Sequence, residues 1–214
     1  MQRVFLVSIA LFTLAAVPLF AFNSDDLNEI TILNSTGYTL MTVVLSPADS
    51  DSWGPEILGQ DNPLEDGESI TYYLSYPQDS FDYKIMAQDE EGTEYQVDGS
   101  TSSEDDSATV EITEGDTVDT ASDYTLVKVS VTNKTGREID HLFLSPADSD
   151  ASGVDVLGED TTLDDGDTFV IVVPGHEGAV DYNLMAIDSH DGEYDEDVTV
   201  DPKSSTPVAV SVTP

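Results

Sequence analysis

Along most of this chain, apolar and polar residues take turns. Ile30 and Ile32 stand between polar neighbours, and Ile70, Tyr72 and Leu74 follow the same rule, as do Tyr83, Ile85 and Ala87, then Ala108, Val110 and Ile112. Side chains that point to opposite faces in a period of two make a half-buried β-strand. The series then returns as Val129 and Val131, Phe169, Ile171 and Val173, Tyr182, Leu184 and Ala186, and finally Val208, Val210 and Val212. Leu45–Asp51 (Leu-Ser-Pro-Ala-Asp-Ser-Asp) recurs at Leu144–Asp150, and laying Ile30–Asp89 on Val129–Asp188 gives 22 identities in 60 positions. One unit has been copied at an offset of 99 residues.

Turn residues separate the runs. Asn34-Ser35-Thr36-Gly37 and Asn133-Lys134-Thr135-Gly136 place Asn and Gly where the chain reverses, and Asp66-Gly67 and Asp165-Gly166 do so again. A third pair, Glu91-Gly92 and Asp191-Gly192, joins the fourth and fifth strands, and the last strands align at an offset of 100, which places one extra residue around His190. Trp53–Leu58, behind an Asp-Ser-Asp cap signal, reads as a short helical turn. Thr101–Ser107 reads as a long hairpin loop, and Thr113–Asp123, acidic and turn-rich, as the connection between copies. The pattern predicts an all-β chain: two tandem small antiparallel β-sandwich modules of about six strands each, immunoglobulin-like or similar. The boundaries expected are 22–114 for the first module, 115–125 for an acidic linker and 126–214 for the second.

The N-terminus changes the setting. Met1-Gln2-Arg3 leads into an apolar run that Pro18 breaks, with Ala21 placed for cleavage. This has the form of a secretory signal peptide over 1–21, since about 14 apolar residues fall short of the roughly 20 that span a bilayer. The expectation is a secreted, periplasmic or envelope-associated bacterial protein with no membrane span after cleavage. No cysteine occurs, so each module relies on its apolar core.

Charge narrows the partners. The chain has 44 acidic against 6 basic residues, a net charge of −38. Nucleic acid is excluded as a partner because phosphate contacts need clustered Lys and Arg. A hydrophobic content of 39% in ordered patterns argues against disorder. Most of the acids read as a solvated, salt-adapted surface.

The most alike segment of the two copies is a loop, and it has two readings. In the first it binds calcium. Asp148, Asp150, Ser152, Gly153 and Glu159 fall at positions 1, 3, 5, 6 and 12 of a twelve-residue calcium loop, where alternating oxygens, a glycine bend and a distal acid suit that ion. Asp155 stands at position 8, where an apolar residue belongs, and no helices flank the loop. In the first copy Asp49, Asp51 and Glu56 are the corresponding candidates, but Trp53 and Gln60 occupy ligand positions. In the second reading the loop is structural: Asp49 and Asp51 accept backbone N–H bonds, Leu58 and Leu157 plug the core, and Gly59 and Gly158 turn left-handed.

Catalysis finds little support. His141, His176 and His190 all lie in the second copy, at spacings that match no ligand pattern, and no hydrolase, zinc or phosphate-loop motif appears. A secreted hydrolase is the distant alternative, and no cofactor is expected apart from the candidate calcium. Asn34-Ser35-Thr36 and Asn133-Lys134-Thr135 match glycosylation acceptors but read as turns. Trp53, Tyr73 and Tyr76 form a candidate contact surface for a protein or glycan, since Tyr73 and Tyr76 fall off the inward alternation.

The loop Ser-Pro-Ala-Asp-Ser-Asp-Ser-Trp-Gly-Pro-Glu-Ile-Leu-Gly, with Asp66-Gly67 and the strand Tyr83–Gly92, resembles a tandem repeat of uncharacterised secreted bacterial proteins. The resemblance covers about residues 29–114 and 126–214, with Ser152 departing from Trp53. It implies a small extracytoplasmic β-sandwich and no known activity. Together these features lead to an exported, non-enzymatic binding or structural envelope protein, with a calcium-binding sandwich as the alternative.

Overall fold

The computed structural model describes residues 27–59, 62–75, 80–102, 107–119, 122–158, 161–175, 178–204 and 206–214. The stretch 1–21, expected from the sequence to be a signal peptide, lies outside them. The protein is all-β, and its one described helical element is a single 3₁₀ turn at Glu114–Asp116. The first repeat supplies β1 (Asn28–Ser35), β2 (Leu40–Pro47), β3 (Ser69–Ser75), β4 (Ser80–Asp89), β5 (Glu94–Ser102) and β6 (Ser107–Thr113). The second supplies β7 (Thr125–Asn133), β8 (Ile139–Pro146), the short β9 (Gly153–Asp155), β10 (Thr168–Gly175), β11 (Val180–Asp188), β12 (Glu193–Val200) and β13 (Val208–Val212).

Each repeat splits its strands between two sheets. In the first, β1 pairs antiparallel with β3 and parallel with β6, while β4 lies between β2 and β5. The second repeats this with β7 between β10 and β13, and β11 between β8 and β12. The inward residues are those the alternation selects: Ile30, Ile32, Leu74, Tyr83, Ile85 and Ile112 in one apolar cluster, and Val129, Val131, Val173, Tyr182, Leu184 and Val212 in the other.

The repeats do more than follow one another. β9 of the second repeat pairs with β8 on one side and β3 of the first on the other, giving one seven-stranded sheet in the order β12-β11-β8-β9-β3-β1-β6. On the opposite layer Glu56, the counterpart of Asp155, bridges Val44 of β2 and Val172 of β10. Each repeat therefore lends a short extended segment that joins its own sheet to its neighbour's. Val154 packs into the first repeat's cluster, and Val156 touches both.

Three expectations are corrected. Trp53–Leu58 is extended rather than helical, because Glu56 is held between two strands. β5 and β6, on either side of the stretch expected to be a hairpin loop, do not pair but belong to different sheets, and 103–106 lie outside the described residues. Tyr83 faces Gly99 and Tyr182 faces Val198, so the 99-residue offset persists through β12, and the extra residue falls in the crossover before β13. The turn around His190 has no insertion; Asp191, at φ 61, takes the left-handed place of Gly92, a conformation Asp tolerates better than most side chains.

Asn34 and Asn133 anchor the first turn of each repeat. Both are fully buried. The Asn34 amide donates to the carbonyls of Tyr38 (2.8 Å) and Leu64 (2.9 Å), and its oxygen accepts from the Thr36 N–H and hydroxyl. Asn133 repeats the set with Arg137, Leu163 and Thr135. The nitrogen that a glycan would need is thus spent on the fold, in keeping with the turn reading.

The segment between repeats is tied down. Val118 N–H donates to the Glu94 carbonyl, Thr117 bridges Tyr95, and the Ser122 N–H and hydroxyl both donate to the Glu94 carboxylate (2.7 and 2.8 Å).

Candidate functional site

The duplicated loops meet at the join between the repeats, and their sequence explains how. After β2 the chain turns at Pro47, where Ala48 N–H bonds to the Asp82 carbonyl; Ala147 does the same with Asp181. It then runs back hard against the strand it left. A side chain at Gly54 would put its Cβ 2.2 Å from the Leu45 carbonyl oxygen, and one at Gly153 would sit 2.5 Å from that of Leu144. Only glycine permits this approach.

Beyond each glycine stands a buried carboxylate. Asp155 Oδ1 accepts from the Leu142 and Leu157 N–H groups (3.0 and 3.1 Å), and Oδ2 meets His141 Nδ1 at 2.8 Å. Glu56 accepts from Leu58 and Gly59 (2.9 and 3.0 Å) and more distantly from Val43 (3.4 Å). Burial pushes the Glu56 carboxyl up, against those N–H bonds. The hydrogen bond to Asp155 raises the His141 imidazole, whose ring stacks on Phe143 at 6.0 Å. The Tyr72 hydroxyl donates to the Ile57 carbonyl and is pushed up to about 12 by burial and then by the charges of Glu56 and Asp155.

The loop tips clasp one another. Ser50 Oγ donates to Asp148 Oδ1 (2.6 Å) and Ser149 Oγ to Asp49 Oδ1 (2.9 Å), two equivalent bonds related by the exchange of repeats. Asp51 N–H adds a bond to Asp148 Oδ2 (3.1 Å). Lys84 Nζ donates to the Ser50 carbonyl (2.6 Å) and lies 4.7 Å above the Trp53 ring, whose own carbonyl accepts from Tyr182 OH (2.9 Å). Burial opposes the Asp148 charge, but Ser50, the Asp51 N–H and Lys84 together hold its carboxyl below the usual range.

The candidate calcium ligands are therefore dispersed. Asp49 and Asp148 hold the opposite repeat's serines, Asp155 and Glu56 hold their own loops' backbone, Asp51 and Asp150 are exposed, Ser152 is half-buried, and Glu159 lies outside the described residues. Among the described residues no three His, Asp or Glu side chains gather as a metal group. Of the candidate contact surface, Trp53 is half-buried under Lys84, Tyr73 is half-buried on the face of β3 opposite Tyr72, and Tyr76 lies outside the described residues.

The join also leaves a cleft of about 350 Å³, lined by Glu56, Leu58, Tyr72, Leu157, Phe169 and Val170 among others. Two signals could have marked this region: a carboxylate at the same place in both copies, and the inward aromatic Tyr72 where the second repeat has the aliphatic Ile171. The sequence matches no protein-family model, and no curated protein is significantly similar to it.

Proposed function

We propose that this chain is an exported, non-enzymatic protein that acts by binding or as a structural part of the cell envelope or its surroundings. One observation supports this most: the segment the duplication preserved best is spent on holding the repeats together. Its serines and aspartates make the reciprocal clasp, and its carboxylates satisfy backbone N–H groups. Such chemistry builds a stiff body that presents surfaces. The leader-like N-terminus and the resemblance to secreted repeat proteins support export, and the net charge of −38 supports a saline, solvated setting.

The test expresses the full chain in a bacterial host, fractionates the cells and weighs the product. Recovery outside the cytoplasm with the mass of residues 22–214 is expected; full-length protein retained in the cytoplasm would refute the export half. For the other half, melting is followed with millimolar calcium and with magnesium. Equal small shifts are expected, while a calcium-specific rise abolished by Asp148→Ala would overturn the structural role of the loop.

A further inference from the structure

The cleft between the repeats arises from a diverted strand. Glu56 N–H donates to the Val172 carbonyl (2.8 Å), so Val172 turns its polar backbone groups away from β7. Val170, two residues earlier, presents its N–H and C=O to the same edge. Continued pairing would bring the Leu58 N–H to the Val170 carbonyl. Instead that N–H donates to the Glu56 carboxylate at 2.9 Å, and the chain peels away. What opens is a space of about 350 Å³, at the small end of ligand sites.

Its walls specify a ligand. Leu58, Leu157 and Ile171 are buried and apolar, and Tyr72 and Phe169 add aromatic surface. Glu56, only 9% exposed as a residue, supplies a carboxylate, and Val170, 46% exposed, lines the cleft with its backbone on the strand edge that Glu56 pairs with. No Lys or Arg is among the described residues lining the cleft. Carboxylate, carbonyl and aromatic faces together favour a cation with an apolar body, and the field of an acidic molecule concentrates cations at its surface.

We propose that this cleft binds a primary ammonium carried on a short apolar stem, with the Glu56 carboxylate and the Val170 carbonyl accepting its N–H groups. The stem lies against Leu58, Leu157 and the rings of Tyr72 and Phe169. A free alkylamine and a lysine side chain of a partner share this chemistry. The proposal rests on the binding reading above, but failure here leaves the export and melting results untouched.

The test is a titration of the full chain with n-butylammonium in about 1 M sodium chloride, where a screening length of about 3 Å suppresses adhesion to surface acids. Backbone amide NMR is the readout. Saturable shifts are expected at Ile57–Gly59, Val156–Leu157 and Phe169–Val172, with methylammonium and 1-butanol each at least about tenfold weaker, the loss of one modest interaction. Glu56→Gln should weaken binding by a similar factor; should that variant not fold, Phe169→Ala serves, with weaker butylammonium and unchanged methylammonium binding. An Nα-acetyl-lysine methylamide that matches butylammonium identifies a peptide source, and one that fails to bind identifies a free amine. Butylammonium binding no tighter than methylammonium, shifts scattered over the acidic surface, or full affinity in Glu56→Gln would overturn the proposal.

Discussion

At the scale of single residues, the fold leans on carboxylates that serve backbone. Asp89 and Asp188 are both nearly fully buried, and each closes a turn by accepting two N–H bonds on one oxygen and a tyrosine hydroxyl on the other. Asp188 also receives Arg137 Nη1 at 2.9 Å. Burial alone would raise its carboxyl, but these donors outweigh burial and hold it well below the usual carboxylate range. Asp188→Ala removes the carboxylate partner of the Tyr194 hydroxyl and of Arg137 and strands two N–H groups, and we expect a loss of about 2–4 kcal/mol in denaturant unfolding. Because the folded value is depressed, this contribution is present above the unfolded pKa near 4 and fades as pH falls through the folded value. His141 has the opposite sign. Its partner Asp155 raises it, so its contribution is complete below about pH 6.5 and is lost as pH rises through the raised folded value. Melting temperature should therefore drop between pH 6 and 8 in the native chain and drop less in His141→Gln; equal slopes would show that the pair adds nothing.

At the scale of elements, the strands were legible and their neighbours were not. Ile30, Ile32, Ile85 and Leu184 declare a buried face because alternation is a local property, fixed by side chains two apart. The partner of a strand is not local. In a duplicated chain the two copies present nearly the same edges, so the segment around Val154 could pair with β10 of its own repeat or β3 of the other. Nothing along the sequence separates these choices; the structure takes the second. The same degeneracy hides Glu56, which reads as a candidate ligand yet closes a loop and bridges β2 of one repeat to β10 of the other. The loop's composition, rich in Asp and Ser, fits an ion cage and a backbone clasp equally well, and only the placement of Ser50 against Asp148 distinguishes them. Glycine is the element's most exposed weakness. Gly54→Val would drive its side chain into the Leu45 carbonyl, and we expect at least about 2 kcal/mol lost with the clasp displaced. Near-native stability would mean that the returning loop can shift without cost.

For the whole molecule the join decides whether two repeats behave as one body. A seven-stranded sheet that runs through both repeats, the Glu56 bridges on the other layer, an apolar cluster completed by Val154 and reciprocal loop bonds couple their unfolding, so calorimetry should show a single transition with agreeing van't Hoff and calorimetric enthalpies. Val154→Asp, which buries a charge in that cluster, should cost about 3 kcal/mol or more and separate the transition into two. Salt acts on the same body from outside. With 44 acids against 6 bases the folded chain repels itself more than the expanded one does, and many of those acids, including Glu65, Asp66, Glu68, Asp164, Asp165 and Asp167, lie exposed on turns. Raising sodium chloride from about 0.1 to 1 M shortens the screening length from about 10 to 3 Å. The melting temperature should climb by several degrees over that range, with an equal response to potassium chloride, since screening depends on ionic strength alone. A melt indifferent to salt would mean that the surface acids are already paired or hydrated so well that their repulsion does not reach the fold.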